Sequence, residues 1–555
     1  MNYDIAVQVG IGCECGFDLL VKHIKHQTVC RYGEGNAAFL LILKRDDKEN
    51  PEGYCIYRSS STGMTICGNG QRGLIYGIGA FLRADGSLVN GEYEPVKKIR
   101  GMYFATHFYN FYHSAPLEKV YDYIEELMLW GCNVVSMWFD MHQYSSIADK
   151  EAQQMIERMK QIYGHIQKLG MKTSMNFLAN EYYSSSPAEL RATNASANTP
   201  YKEDLCGFYH MELCPSKEEG LALLLQARRE VLHAFRDIAF DYIWIWPYDQ
   251  GGCTCEQCYP WGANGFWKCA KSVAEVIREE CPNADIVLSA WRFDVFADGE
   301  WDAFLKLLQQ ESKWFDLLMI DAEAAIPEKL CALTAEKGIG LIGFPEISMV
   351  YAVPWGGFGA NPVPAMIEKK YKDSENLLAG GFPYSEGVFE DINKVLYLQM
   401  YWGGNTVSTI LETYCCYYFS AVYGKHIAGI ITRLERTLPR QRYNRNGVCE
   451  SYPPSGYVHE LPEFRLEQAE DIPAIYRDIL SVDQNLLPEI KISPRWRMVY
   501  LRACIDYELY QSRGFLNAAT DVYAQELTQI YAAGEAYYVV SPVTRDAVVR
   551  NKGSI

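Results

Sequence analysis

From Ile99 to Gly387 one alternation repeats eight times: an apolar run short enough for a buried strand, then a segment with helical periodicity. Strands joined through helices must run parallel, because each crossover carries the chain back before the next strand starts. The runs are IRGMYFAT (99–106), NVVSMWFD (133–140), MKTSMNFLAN (171–180), DYIWIWPYD (241–249), DIVLSAWRFD (285–294), FDLLMIDAE (315–323), GIGLIGFPE (338–346) and AGGFPYSEG (379–387). The first helix is expected to open at Ser114, to align Leu117, Val120, Ile124, Leu127 and Met128, and to close at Gly131. The second aligns Met155, Met159, Ile162 and Ile166 ahead of Gly170. After the third run an insertion spans 181–214, and a capping box of Ser216 and Glu219 is expected to begin the helix LALLLQARREVLHAF.

Eight such units in about 300 residues match an α/β chain folded as a (β/α)8 TIM barrel. A doubly wound open sheet alternates in the same way. However, no glycine-rich phosphate loop follows the first run, and polar and aromatic residues gather at the C-terminal ends of the runs, where a barrel builds its site. The barrel is assigned to residues 99–425. Residues 1–98 alternate short apolar runs with turns before the amphipathic QRGLIYGIGAFLR, which reads as an N-terminal α+β domain. Residues 426–555 carry helical periods around HIAGIITRLERTL, DIPAIYRDIL, RMVYLRACIDYELYQSR and DVYAQELTQIYAAGEAYY, a C-terminal helical region, and 440–465 reads as an exposed linker or long loop.

Composition narrows the function classes. With 52 Lys+Arg against 69 Asp+Glu the net charge is −17, a surface that repels phosphate backbones and anionic lipid, so no nucleic acid is expected as a partner. No run approaches the roughly 18 to 20 apolar residues of a membrane helix, and the start, MNYDIAVQVGIG, lacks the basic and apolar regions of a signal peptide. A cytoplasmic protein is the expectation. The 18 cysteines are scattered and include adjacent Cys415 and Cys416, as in a chain of mostly reduced thiols rather than a disulfide scaffold. A homo-oligomer stays open.

Taken in order, the strand ends supply His107 and Tyr109, Trp138 and Asp140, Asn176 and Glu181, Trp246, Tyr248 and Asp249, Trp291 and Arg292, Asp321 and Glu323, Glu346, then Tyr384 and Glu386. This is an acidic cup with aromatic walls. Sugars present apolar ring faces and a rim of hydroxyls, which aromatic platforms and carboxylates suit. Cleaving a glycosidic bond needs a protonated carboxyl to give a proton to the leaving oxygen and a second carboxylate to attack or to activate water. Glu346 and Glu386 end consecutive runs and are the expected pair, with Asp249 as a third carboxylate. His107, Trp138, Trp246, Tyr248, Trp291, Arg292, Asp321, Trp355 and Tyr384 are expected to bind substrate. Arg292 suits a carboxylated sugar or pairs with a neighbouring acid, and Trp355, within VPWGGFGANP, suits a lid or packs against the next loop. A carboxyl separation of about 5 Å would give retention and one of about 6.5 to 9.5 Å inversion.

The stretch STGMTICGNGQRGLIYGIGAFLR resembles the accessory domain that precedes the catalytic barrel in family 20 hexosaminidases and family 67 α-glucuronidases. WPYDQGGCTCEQCYPWG is similar to a bacterial group of family 20-like barrels carrying D-x-G-x-C-x-C-x-x-C. Together they span roughly residues 60–425, and the resemblance implies a glycoside hydrolase, read here as exo-acting, with β-N-acetylhexosaminidase-like or α-glucuronidase-like specificity. Family 20 enzymes carry an Asp-Glu pair after the fourth strand, the Asp orienting the acetamido group and the Glu acting as acid. This chain has Asp249-Gln250, and an amide gives no catalytic proton. A sugar-acid lyase or isomerase, for which Arg292 would be essential, and a non-catalytic carbohydrate-binding protein are the competing readings.

Cys253, Cys255 and Cys258 form C-x-C-x-x-C after the fourth run. Such spacing suits a tetrahedral structural zinc if a fourth thiolate arrives from the preceding insertion, from Cys214 or Cys206. An all-thiolate shell is closed, so catalysis is expected to need no cofactor.

Overall fold

The computed structural model describes the chain except residues 1–3, 25–28, 33–36, 85–87, 107–110, 195–198, 203, 206–208, 250, 312, 321–325, 349–361, 386–390, 436–441, 444–448, 451–470, 513–516, 532–537, 541–547 and 551–555, and a few further side chains, Glu346 among them. The N-terminal domain is a mixed sheet in the order β2-β1-β3-β5-β4-β6, formed by β1 (Asp4–Val9), β2 (Val29–Tyr32), β3 (Phe39–Arg45), β4 (Tyr54–Ser60), β5 (Gly63–Gly68) and β6 (Gly91–Tyr93). Helices α1 (Glu14–His23) and α2 (Gln71–Arg83) complete it.

Glycine within a helix costs about 1 kcal/mol relative to alanine, yet α2 contains three. A Cβ at Gly73 would lie 1.9 Å from the Gly53 carbonyl oxygen, and one at Gly79 would lie 2.1 Å from the Leu129 carbonyl oxygen at the end of α4 (Leu117–Leu129). The glycines let α2 press against its own domain on one side and against the barrel on the other. Below this contact, buried Arg100 donates to Glu52 Oε2 at 2.9 Å and to the carbonyls of Gly131 and Lys97, while Asn133 Nδ2 donates to Glu52 Oε1 at 3.0 Å.

The barrel strands are β7 (Ile99–Phe104), β8 (Val134–Trp138), β9 (Lys172–Leu178), β10 (Tyr242–Trp246), β11 (Asp285–Ser289), β12 (Leu317–Ile320), β13 with β14 (Gly340–Gly343, Glu346–Ser348) and β15 with β16 (Gly380–Gly381, Tyr384–Ser385), and the helices that alternate with them include α5 (Lys150–Lys168), α7 (Gly265–Glu280), α9 (Glu328–Glu336) and α10 (Pro364–Ser374). All pairs are parallel, and β7 pairs with β8 as well as with β15 and β16, which closes an eight-stranded barrel. The last two barrel strands are each broken at the same level. Both carry Gly-Phe-Pro, with Gly343 paired to Gly381 and Glu346 paired to Tyr384, so Pro345 and Pro383, having no N–H to give, interrupt the ladder side by side. Phe382 turns inward, where its ring meets Trp244 at 4.9 Å, and a Cβ on Gly101 would come within 2.3 Å of that ring.

Two helix starts differ from expectation. Ser114 ends the short helix α3 (Phe111–Ser114), and α4 opens after Pro116, whose fixed φ suits the turn into a helix. The capping box of Ser216 and Glu219 does not form: α6 (Glu218–Ala234) has Lys217 at its cap, and the Ser216 hydroxyl lies 3.0 Å from Cys258 Sγ instead. Beyond the barrel, α11 (Asp391–Trp402), α12 (Val407–Tyr418) and α13 (Gly424–Leu434) lead to helices Ile472–Asn485, Pro494–Gln511 and Ala518–Tyr531. Arg495 ties this region back, donating to Asp391 Oδ2 at 2.7 Å and to Glu126 of α4. Within the expected linker at 440–465, the described residues 442–443 and 449–450 form a short antiparallel pair. No helix among the described residues is long and apolar enough to cross a membrane.

Candidate active site

The loops leaving β10 and β11 are fastened by one carboxylate. Glu300, fully buried at the start of α8 (Glu300–Gln310), accepts from the Tyr248 hydroxyl, from Gly262 N–H at 2.6 Å and from Asp294 N–H at 3.0 Å. Asp294 answers by accepting from Glu300 N–H at 2.6 Å. Burial pushes the Glu300 carboxyl up to about 7, against the pull of these donors. On this frame Asp249 and Arg292 adopt left-handed backbone, with φ of 59° and 58°. Such geometry costs a non-glycine residue of order 1 kcal/mol or more and collects at functional sites. Both residues are half-buried, and the Arg292 guanidinium lies 4.5 Å from the centre of the Trp291 ring.

An aromatic wall continues around the mouth. Trp246 meets Trp291 at 5.5 Å and Phe344 at 5.0 Å, and Phe344 meets Tyr384 at 5.3 Å and Tyr103 at 5.6 Å. These spacings are those of tilted and edge-to-face ring pairs, which hold the wall rigid. Between them, β8 and β9 bury small polar groups: Ser174 Oγ lies 3.0 Å from Ser136 Oγ, which donates to Asn176 Oδ1 at 2.9 Å.

Beyond the ends of these two strands stand acids that the sequence marked only as strand-end residues. Ligand atoms of Asp140, His142 and Glu181 all lie within 4.8 Å of one another. Glu181 is 1% exposed, and its two oxygens accept from Met141 N–H at 2.6 Å and Trp138 Nε1 at 3.1 Å. Burial first, and then the Asp140 carboxylate, push Glu181 up to about 8, outweighing Arg228 and the two donors. Asp140 contacts His142 Nδ1 and accepts from Gln143 Nε2 at 3.0 Å, and the His142 ring stacks on Tyr209 at 3.6 Å. Both Glu181 oxygens are thus engaged by donors from β8 and the turn after it. The signal that could have found it is a glutamate three residues past the end of β9, directly after Thr173–Asn180, which are buried throughout.

The expected site residues divide into three groups. Trp138, Trp246, Trp291, Arg292, Asp249 and Tyr384 surround the C-terminal ends of the strands as described. Tyr248 is 0% exposed with its hydroxyl on Glu300, so it stands behind the wall and supports it. The backbone of Glu346 lies in β14, while its side chain, together with His107, Asp321, Trp355 and Glu386, lies outside the described residues. Cys214, Cys253, Cys255 and Cys258 do come together, with sulfurs within 4.8 Å of one another, and Cys206 lies outside the described residues. A cavity of about 620 Å³ opens away from this mouth, between Tyr54, Tyr76 and Arg83 of the N-terminal domain and Trp130 and Trp402 of the barrel.

No family model and no curated protein matches the sequence. Among solved structures the fold is similar to that of a GH138 enzyme targeting pectin rhamnogalacturonan II, with 12% identity over 95% of this chain and 70% of that one and a TM-score of 0.57. It is also similar to a GH115 4-O-methyl-alpha-glucuronidase with specificity for decorated arabinogalactans, at 11% identity over 96% and 76% of the two chains, TM-score 0.60. The GH20 beta-N-acetylhexosaminidase from Streptomyces coelicolor A3(2) shares 16% identity over 77% and 92%, TM-score 0.50. At these identities the likeness is one of fold.

Proposed function

We propose that this chain is a glycoside hydrolase that removes a terminal sugar residue with a pair of carboxyls at the C-terminal mouth of its barrel. The observation that carries the proposal is the register of the last two strands. Glu346 is paired with Tyr384 of the neighbouring strand, and Glu386 follows Tyr384 by two residues in the sequence. The aromatic wall of Trp246, Trp291, Phe344 and Tyr384 supports a sugar-binding mouth, and the folds similar to this one belong to enzymes described as acting on glycans.

In this reading one of Glu346 and Glu386 gives its proton to the glycosidic oxygen as the bond to the anomeric carbon breaks. The other attacks that carbon or takes a proton from the attacking water, and one water is consumed per bond. Asp249 binds sugar hydroxyls. Gln250 in place of an acid argues against acetamido-assisted hexosaminidase chemistry, whereas the Arg292 cation at the rim favours a sugar that bears a carboxylate, as in an α-glucuronide.

The test is a panel of nitrophenyl glycosides that includes an α-glucuronide and an N-acetyl-β-hexosaminide, with products weighed by mass spectrometry. Release of nitrophenol with a free sugar, the two together exceeding the substrate mass by one water, supports the proposal. Sugar binding in a calorimeter without turnover of any glycoside, or an unsaturated product formed without water, would replace it with a binding protein or a lyase.

A further inference from the structure

The four-cysteine cluster beside the mouth is not used by the chemistry proposed above, and its geometry is specific. Cys214 ends the insertion that follows β9, whereas Cys253, Cys255 and Cys258 lie in the loop that follows β10, so Cys214 stands 39 positions before the nearest of the other three. Cys214 Sγ is 3.7 Å from Cys255 Sγ and 3.8 Å from Cys258 Sγ, and all four sulfurs lie within 4.8 Å of one another. A tetrahedron built on zinc–sulfur bonds of about 2.3 Å has edges of about 3.8 Å. Disulfide sulfurs would instead stand about 2.05 Å apart, and the described cysteines are free thiols. Cys214, Cys253 and Cys258 are buried and Cys255 is half-buried, so the cluster faces inward with one edge toward solvent.

The surroundings match a thiolate shell. The Ser216 hydroxyl is 3.0 Å from Cys258 Sγ and the Thr193 hydroxyl is 4.0 Å from Cys253 Sγ, both able to donate to charged sulfur. The backbone under the sulfurs is braced from below. Asn180 Nδ2 donates to the Leu213 carbonyl at 3.0 Å and to the Gly252 carbonyl at 2.7 Å, while Asn180 Oδ1 accepts from Gly252 N–H at 2.9 Å. One buried amide thus holds the residues that precede Cys214 and Cys253, aligning both segments before any ion binds.

We propose that Cys214, Cys253, Cys255 and Cys258 bind one structural zinc ion, which fastens the insertion over 181–214 to the loop carrying Asp249. Binding converts four thiols to thiolates and releases four protons, leaving a complex of charge −2 that the Ser216 and Thr193 hydroxyls stabilise. The shell is closed, so the ion holds the wall of the mouth and takes no part in bond cleavage. Asp249 stands four residues before Cys253, which makes the fastening the second restraint on its left-handed backbone after Glu300.

The full chain, purified without an affinity metal and dialysed against metal-free buffer, is assayed for zinc and iron by plasma mass spectrometry and for free thiols under denaturing conditions. The proposal expects one zinc per chain, displaced stoichiometrically by a mercurial reagent. Cys255→Ser, at the half-exposed corner, is expected to lose at least tenfold in zinc affinity and to become sensitive to protease within 181–214, while Cys281→Ser retains both zinc and resistance. Wild-type chain with no metal, with iron instead, or with the four sulfurs oxidised to disulfides would overturn the proposal, as would Cys255→Ser chain that keeps its zinc at wild-type affinity.

Discussion

Asp249 and Arg292 follow the neighbouring strands β10 and β11, each three residues past the strand end and each in left-handed backbone, with φ of 59° and 58°. An acidic and a basic residue are thus carried by the loops of adjacent strands, each at a cost in backbone strain. Arg292→Gly relieves the strain, because glycine enters this region freely. The variant is expected to gain about 1 kcal/mol in resistance to denaturant while losing turnover, measured by urea unfolding beside a glycoside assay.

Asp249→Asn separates charge from conformation. Asparagine tolerates left-handed backbone and keeps the side-chain shape, so the melting temperature is expected to stay within about 1 °C of wild type while kcat/KM falls roughly a hundredfold or more. Scanning calorimetry and initial rates on the same preparations check both halves.

Glu181 gives the stability a pH signature. Its carboxyl is raised from an ordinary value near 4.5 to about 8. Between these values the unfolded chain has released the proton and the folded chain retains it, so stability falls as pH rises through that window and levels off above it. Glu181→Gln removes this titration, and the decline in melting temperature from pH 5 to 8 is expected to be shallower in the variant. Thermal scans across that range provide the comparison.

At the other end of the barrel the sign reverses. Burial alone would raise Glu52, but the charges of Arg100 and Arg72 and the Asn133 amide hold its carboxyl below the usual range. That contribution is fully present above about 4.5 and is lost as pH falls through the lowered folded value. Arg100→Leu leaves Glu52 buried without its main partner and is expected to destabilise the junction of the two domains by about 3–5 kcal/mol. Limited proteolysis between residues 84 and 98, compared with wild type, reads this loss.

The barrel was legible because its eight runs are apolar and each is followed by helical periodicity, and even the breaks in the last two strands are written as Gly-Phe-Pro. Local capping was less legible. Ser216 and Glu219 have the spacing of a capping box, but the Ser216 hydroxyl turns to Cys258, a residue 42 positions away. The same limit hid the role of Tyr248, whose hydroxyl is taken by Glu300 from α8, and the coupling of Glu181 to Asp140, which depends on two loops folding against each other. Cys214 was legible as a partner for the C-x-C-x-x-C loop because thiol chemistry restricts the choice to a few residues.

In the proposed reaction Glu346 and Glu386 supply the two carboxyls that break the glycosidic bond. The decisive comparison is kcat of Glu346→Gln and Glu386→Gln against wild type on whichever glycoside the panel identifies, each variant first matched to wild type by circular dichroism. Each substitution is expected to lower kcat by about a thousandfold or more. Turnover within about tenfold of wild type in both variants would rule out this pair.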